Sequence, residues 1–143
     1  MVGNAYGVSV IPTAGIAAAV TLTRVHLDQN SITGLIADGT NGSGPIQVAV
    51  GDGSASFNVD NGISVFSALA SVSLDVIRTT IATNGLIGLR AQGSAATVTV
   101  GSSQIRGNMG GLKVVGGAVL LSYGNNQMTG NGTNGVFSTT GLQ

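Results

Sequence analysis

One unit of the sequence decides the fold: VTVGSSQIRGNMGGL, residues 98–112. It contains three landmarks in a fixed order, namely the alternating segment Val98-Thr99-Val100, the motif Ile105-Arg106-Gly107-Asn108, and the pair Gly111-Leu112. Alternation of apolar and polar residues predicts a short β-strand. Because Gly and Asn are favoured in tight turns, the residues that follow the strand predict corners between short straight segments.

The same three landmarks recur along the chain. Alternating segments begin at Val20, Val48, Val72, Val98 and Val119. The hydrophobic-x-x-Asn (or Asp) motif ends at intervals of 23 to 30 residues, at Asn4, Asn30, Asp60, Asn84, Asn108 and Asn131. A Gly followed by an aliphatic residue comes next, at Gly7, Gly34, Gly62, Gly88, Gly111 and Gly135. Self-similarity at a nearly fixed spacing is the signature of a repeat architecture.

A unit of this length is too short for a propeller blade, and it lacks the helical half that a leucine-rich repeat needs. It suits one coil of a β-solenoid, in which each coil contributes three short strands and successive coils stack as parallel strands about 4.8 Å apart. The predicted fold class is therefore all-β, a parallel β-helix of about five to six coils. We expect residues 1–143 to form a single domain.

The recurring Asn or Asp is predicted to occupy the same corner of every coil. Asn suits a corner because it tolerates left-handed backbone geometry and because its amide can bond to the same Asn one coil above and below. The predicted corner ladder comprises Asn4, Asn30, Asp60, Asn84, Asn108 and Asn131. The longest interval contains residues 40–45, TNGSGP, which predict an extended loop at a corner.

The order of strand, hydrophobic-x-x-Asn and Gly-aliphatic resembles the right-handed parallel β-helix proteins of the pectin-lyase-like superfold. The closing segment VLLSYGNNQMTGNGTNG, residues 119–135, is similar to the last coils of a group of uncharacterised exported bacterial β-helix proteins. The resemblance implies a right-handed coil and a secreted or cell-surface parent protein. Those proteins are longer at the amino end, so it also implies that this chain is the C-terminal part of a longer solenoid.

The composition excludes several classes of function. Only 7% of the residues are charged, and five basic residues cancel five acidic ones, which removes the electrostatic footprint of a nucleic-acid or membrane-surface binder. There is no Cys, so disulfides and thiolate metal sites are excluded. Asn4, Gly7 and Pro12 interrupt the uncharged amino-terminal stretch, and no signal peptide or membrane insertion is predicted there.

Catalysis is weakly signalled. The resemblance implies that an enzyme of this superfold would hold clustered Asp residues, whereas the five Asp residues of this chain are spread along the coils. One His without Cys or Glu also predicts no metal site. We therefore expect no catalytic residues, no metal and no cofactor.

One trio has the composition of a site: Arg24, His26 and Asp28. Alternate spacing on a strand would place all three side chains on one outward face. This face is either a small polar ligand-binding spot or simply a solvated strand whose unlike charges are neighbours. Tyr123 is a further ligand-binding candidate, because an exposed aromatic ring is a platform on which a saccharide can pack.

The ends of the solenoid suggest a function. A first coil without a cap presents unpaired backbone groups beside an aliphatic ladder, and a net charge of zero supplies no repulsion between copies. We expect a non-catalytic structural module that forms a homo-oligomer through its open amino-terminal coil. The alternative is a polysaccharide-binding or polysaccharide-degrading protein whose active parts lie in missing amino-terminal coils or in the loop at residues 40–45.

Overall fold

The computed structural model describes residues 1–138 and consists of three sheets of parallel strands. Sheet 1 contains β1 (Tyr6–Val10), β3 (Thr33–Asp38), β6 (Ile63–Phe66), β9 (Ile87–Gln92) and β12 (Gly110–Val115). Sheet 2 contains β2 (Ala18–Thr23), β4 (Ile46–Gly51), β7 (Val72–Ile77), β10 (Ala96–Gly101) and β13 (Val119–Ser122). Sheet 3 contains β5 (Ser54–Ser56), β8 (Thr80–Ala82), β11 (Gln104–Arg106) and β14 (Gln127–Thr129).

The chain passes from sheet 1 to sheet 2 to sheet 3 in every coil and then begins the next coil. The fold is therefore a parallel β-solenoid of five coils, as the repeat predicted. In the first coil the sheet 3 position is taken by residues 24–28, where His26 forms a single bridge to Ser54. No part of residues 1–138 is helical, so no helix there is long and apolar enough to cross a membrane.

The core follows from strand alternation. Every second residue of a strand points inward, and the register places like residues over one another. The central inward column of sheet 2 is Val20, Val48, Leu74, Val98 and Leu120. The last four of these are at most 3% exposed, and their stacking forms part of one continuous hydrophobic core.

A ladder of asparagines runs along the corner between sheet 3 and sheet 1. The Nδ2 of each member but the last donates to the Oδ1 of the Asn in the following coil at 2.9 to 3.0 Å, linking Asn30, Asn58, Asn84, Asn108 and Asn131. Each Nδ2 also donates to a backbone carbonyl of the preceding coil, and each Oδ1 from Asn58 onward accepts a backbone N–H as well. The predicted ladder therefore exists, and its amides are hydrogen-bonded at both ends.

Two members of the predicted ladder were wrong. Asn58 takes the position assigned to Asp60, because the inward hydrophobic residue of that coil is the fully buried Ala55, whereas Phe57 is 60% exposed. Choosing the larger apolar residue as the inward one shifted the motif by two positions. Asn4 takes part only through its backbone N–H, which donates to the Oδ1 of Asn30 at 3.3 Å.

The backbone geometry of this corner also differs from the prediction. The left-handed residue is the one before each ladder position: Gly3, Gln29, Phe57, Thr83, Gly107 and Gly130 all have φ between 56° and 72°. No ladder Asn in the described part of the chain has a positive φ. Asn is therefore selected here for its amide and not for its tolerance of left-handed geometry.

A column of glycines packs against the ladder. It contains Gly7, Gly34, Gly62, Gly88 and Gly111. A Cβ on Gly88 would lie 2.8 Å from the Nδ2 of Asn108 and 2.9 Å from the backbone oxygen of Gly111. The Gly of the Gly-aliphatic landmark is thus required by close approach between coils.

The predicted corner loop at residues 40–45 is also present, between β3 and β4. It packs on the corresponding loop of the first coil, where Ala14 and Ser43 form an antiparallel bridge. The side chain of Asn41 donates to the backbone oxygen of Pro12 at 2.6 Å. These contacts hold the two loops together at the corner between sheets 1 and 2.

Candidate functional site

Three polar side chains meet on the outside of the first two coils. The Oγ of Ser54 lies 2.7 Å from the Nδ1 of His26 and donates to the Oδ2 of Asp28 at 2.8 Å. The Oδ1 of Asp28 accepts the backbone N–H of Ser56, also at 2.8 Å. The His26 side chain is 70% exposed and that of Asp28 is 24% exposed. The cluster is therefore a surface feature with one half-covered carboxylate.

The order of these groups determines what chemistry they can perform. Ser54 has one hydroxyl proton, and because that proton goes to Asp28, the Nδ1 of His26 must itself donate to the serine oxygen. A hydrolytic triad instead places the imidazole between the serine and the carboxylate. Here the Nδ1 of His26 is 3.9 Å from the Oδ2 of Asp28, too far for a hydrogen bond. The cluster fastens the first coil to β5.

Arg24 does not join this cluster. β2 ends at Thr23, and Arg24 has φ 55°, so the alternation that was predicted to place Arg24 beside His26 and Asp28 is broken. The prediction of three side chains on one face was therefore wrong for Arg24. Arg24 instead begins a column of left-handed corner residues between sheets 2 and 3, followed by Asp52 at φ 57° and Arg78 at φ 47°.

Asp52 and Arg78 form an ion pair in this column. The Nε and Nη2 of Arg78 donate to the two carboxylate oxygens of Asp52, at 2.6 and 2.9 Å. This hydrogen bonding holds the pKa of Asp52 below its usual value of 3.8; desolvation of the carboxylate opposes it, and the charges of Arg78 and Arg24 also lower the pKa. Because the pair is exposed, solvent screens it and its contribution to stability is small.

Tyr123 lies far from the trio. It follows β13 at the opposite end of the solenoid, and its ring covers Gly101, where a Cβ would be 2.7 Å from the ring. The strand order of sheet 2 separates Tyr123 from Arg24 by four coil steps, about 19 Å. The four ligand-binding candidates thus do not form one site. Within residues 1–138 no group of three or more His, Cys, Asp or Glu residues could hold a metal ion.

The carboxyl-terminal end of the solenoid is covered by the chain itself. Residues 133 and 134 still follow the coil, since their backbone oxygens accept the N–H groups of Gly111 and Leu112. At Gly135, with φ 74°, the chain leaves this path and crosses the end. Gly135 is therefore the start of a cap, and the prediction that Gly135-Val136 repeats the Gly-aliphatic landmark was wrong.

We call residues 135–138 the carboxyl-terminal cap. Phe137 packs against the hydrophobic core, whereas Val136 is 80% exposed. Ser138 occupies the place of a further strand beside β13, since its N–H donates to the oxygen of Leu120 and its Oγ accepts the N–H of Leu120, both at 2.8 Å. The cap therefore supplies both an apolar cover and hydrogen bonds.

The amino-terminal end has a different character. The N–H groups of Ala18 and Arg24 donate to oxygens of the second coil. Because successive peptide groups of a strand point in opposite directions, those of Ala19, Thr21 and Thr23 point away from β4. In the described residues no strand lies on that side. β2 therefore presents a row of free donors and acceptors.

The first coil also leaves apolar side chains uncovered. The inward residues Val8, Ala18, Val20 and Leu22 are only partly buried, unlike their counterparts in later coils. β2, with the sequence AAVTLT, contains neither a charge nor a proline. Charges, prolines and bulges are the usual protection of an edge strand against pairing. This unprotected edge is the candidate functional site of the chain.

Comparison of the chain with protein-family models, with curated proteins and with solved structures found no match. The structure itself defines a parallel β-solenoid with one capped end and one open end.

Proposed function

We propose that this chain is a non-catalytic structural module that associates with a second copy through its first coil. The difference between its two ends carries the proposal. The cap satisfies the hydrogen bonds of Leu120 and covers the core with Phe137, whereas the first coil leaves one side of β2 unpaired beside half-buried aliphatic residues. A second copy is the partner that offers the same unpaired edge.

A two-fold axis through Thr21 gives the simplest pairing. It would make the two β2 strands antiparallel, with Thr21 opposite its counterpart and Ala19 of one copy opposite Thr23 of the other. These three residues carry the outward-directed N–H and C=O groups, so each pair would exchange two hydrogen bonds. Sheet 2 would then continue from one copy into the other, and the aliphatic columns of the two cores would meet.

Charge and size set the expected strength of this pairing. No side chain between Met1 and Thr23 is charged, so the two faces do not repel each other. The open face is small, because β2 has six residues and is about 20 Å long. Interfaces at the lower end of the usual size range are typical of weak association. Because a two-fold pair uses the open edge of both copies, association through this edge stops at a pair.

The mass in solution tests the proposal. At tens of micromolar, light scattering on a sizing column is expected to give a dimer. The variant Thr21→Pro removes an outward N–H without touching a bond to β4, and it is expected to be folded and monomeric. Thr21→Ala keeps the N–H and is the matched control, expected to remain dimeric. A monomeric wild-type chain, or a dimer that Thr21→Pro leaves intact, contradicts the proposal.

We also propose a family and a cellular location for the protein. The order of its landmarks supports membership of the pectin-lyase-like superfold, a right-handed coil and an exported bacterial protein. Under the alternative, a polysaccharide-binding role, Tyr123 and the trio would be two separate contact surfaces, because Tyr123 lies about 19 Å along the solenoid from Arg24. The structural role is therefore the one we favour.

A further inference from the structure

We propose that the carboxyl-terminal cap is a plug in a docking site for the first coil of another copy. Displacing the plug would let copies stack head to tail and grow into a fibre. This inference rests on the proposed function, because it requires an adhesive first coil. It adds a second interaction surface, at the opposite end of the molecule, and a partner for that surface.

The surface under the cap is the unfinished side of sheet 2. The N–H of Tyr123 donates to the oxygen of Val100, so the neighbouring residues of β13, Leu120 and Ser122, turn their backbone groups toward the end. The cap bonds the backbone groups of Leu120. Among the described residues, it makes no bond to those of Ser122. Within residues 135–138, Ser138 is thus the residue that bonds to this side of β13.

The first coil of another copy has the matching shape. β2 and β13 are the two outermost strands of the same sheet, and their free sides face in opposite directions along the solenoid. Placing β2 of one copy on β13 of another repeats the parallel contact that joins the other strands of sheet 2. Residues 1–23 and 114–143 contain no charged side chain, so the two faces carry no opposing charges.

The contact would not close on itself. Joining the front of one copy to the back of the next is a head-to-tail interface, and without a large rotation between copies it generates an open filament. In residues 135–138, the contacts that hold the cap on this end are Phe137 on the core and Ser138 on Leu120. A strand paired along β13 would make several hydrogen bonds there and can compete with these contacts.

Variants of the cap test the inference. Phe137→Ala removes the side chain that covers the core, and it is expected to form elongated particles, seen by electron microscopy and as a steady rise in light scattering. Val136→Ala alters an exposed neighbour in the same segment and is expected to behave like the wild type. Ser138→Pro, which removes the N–H that bonds Leu120, is a second way to loosen the cap and is expected to act like Phe137→Ala.

The double variant Phe137→Ala with Thr21→Pro tests whether the first coil of another copy is what fills the site under the cap. It is expected to stay monomeric, because the edge of the first coil is then blocked. Growth of the double variant would show that another surface fills the site, and that result overturns the inference. So does a folded Phe137→Ala or Ser138→Pro chain that assembles no further than the wild type.

The two proposals fail separately. A dimeric wild type whose cap variants are also dimeric supports the two-fold pair and overturns the plug. A monomeric wild type whose cap variants form fibres, blocked by Thr21→Pro, supports the plug and overturns the two-fold pair.

Discussion

At the scale of single residues, the ladder asparagines show how a buried polar group becomes a source of specificity. Asn84 is 3% exposed, yet its Nδ2 donates to the oxygen of Ala55 and to the Oδ1 of Asn108, and its own Oδ1 accepts from Asn58. A buried polar group that loses a partner destabilises the fold by about 1–3 kcal/mol. The ladder therefore fixes the register of each coil on the next.

The corrected ladder makes a quantitative prediction. Asn58→Ala removes four hydrogen bonds, two donated by the Nδ2 of Asn58 to the oxygens of Leu27 and Asn84 and two accepted by its Oδ1 from Asn30, and it is expected to lower the free energy of unfolding by about 3 kcal/mol. Asp60→Ala changes a partly exposed side chain outside the ladder, with an expected effect within about 0.5 kcal/mol. Urea unfolding measures both. Equal effects, or a larger effect for Asp60→Ala, would refute the assignment of Asn58.

At the scale of the elements, close approach of successive corners is the constraint that recurs in every coil. The glycine column sits where a Cβ would touch both the ladder and the next coil, so it limits the spacing of the coils. Gly51, the last residue of β4, carries no such constraint. At Gly51 in β4, the nearest atom to an added Cβ is the oxygen of Ile77 at 3.9 Å.

Two glycine variants separate these cases. Gly88→Ala forces a Cβ to within 3 Å of Asn108 and the backbone of Gly111, and it is expected to reduce the free energy of unfolding by about 2–3 kcal/mol. Gly51→Ala meets no obstacle and is expected to be neutral or to stabilise by about 0.4–1 kcal/mol, because it restricts the unfolded chain. Thermal or urea unfolding measures the free energy of unfolding of both variants. A Gly88→Ala chain as stable as Gly51→Ala would contradict the close-approach argument.

Much of the element structure could be predicted from the sequence, because short alternating segments and Gly corners are local signals. The place of Ser54 beside His26 and Asp28 could not, because it depends on the register between coils. With the ladder placed at Asn58, one coil step of 28 residues leads from His26 to Ser54, and the same step leads from Arg24 to Asp52. With Asp60 in the ladder the step was two residues too long. Ser54 was therefore missed as the neighbour of His26, and Asp52 as the neighbour of Arg24.

At the scale of the whole molecule, the two ends of the solenoid differ, and that difference governs how copies are expected to assemble. The cap could not be predicted from the repeat, because the repeat continues in the sequence as Gly135-Val136 while the chain turns away from the coil. The open edge was expected from a repeat whose first coil lacks a cap, and among the described residues it lies at β2. The carboxyl-terminal cap and the open edge of β2 together favour a two-fold pair of copies joined at the first coil.

Disulfide trapping tests this pair most directly, because the chain contains no cysteine. In the two-fold pair Thr21 faces its own counterpart at a backbone separation of about 5.5 Å, which a disulfide can span. Thr99 lies on the same outward column of sheet 2, three coils away, and is the control. Under mild oxidation Thr21→Cys is expected to form a covalent dimer rapidly, while Thr99→Cys stays largely monomeric. Equal rates of cross-linking for the two variants would contradict the account.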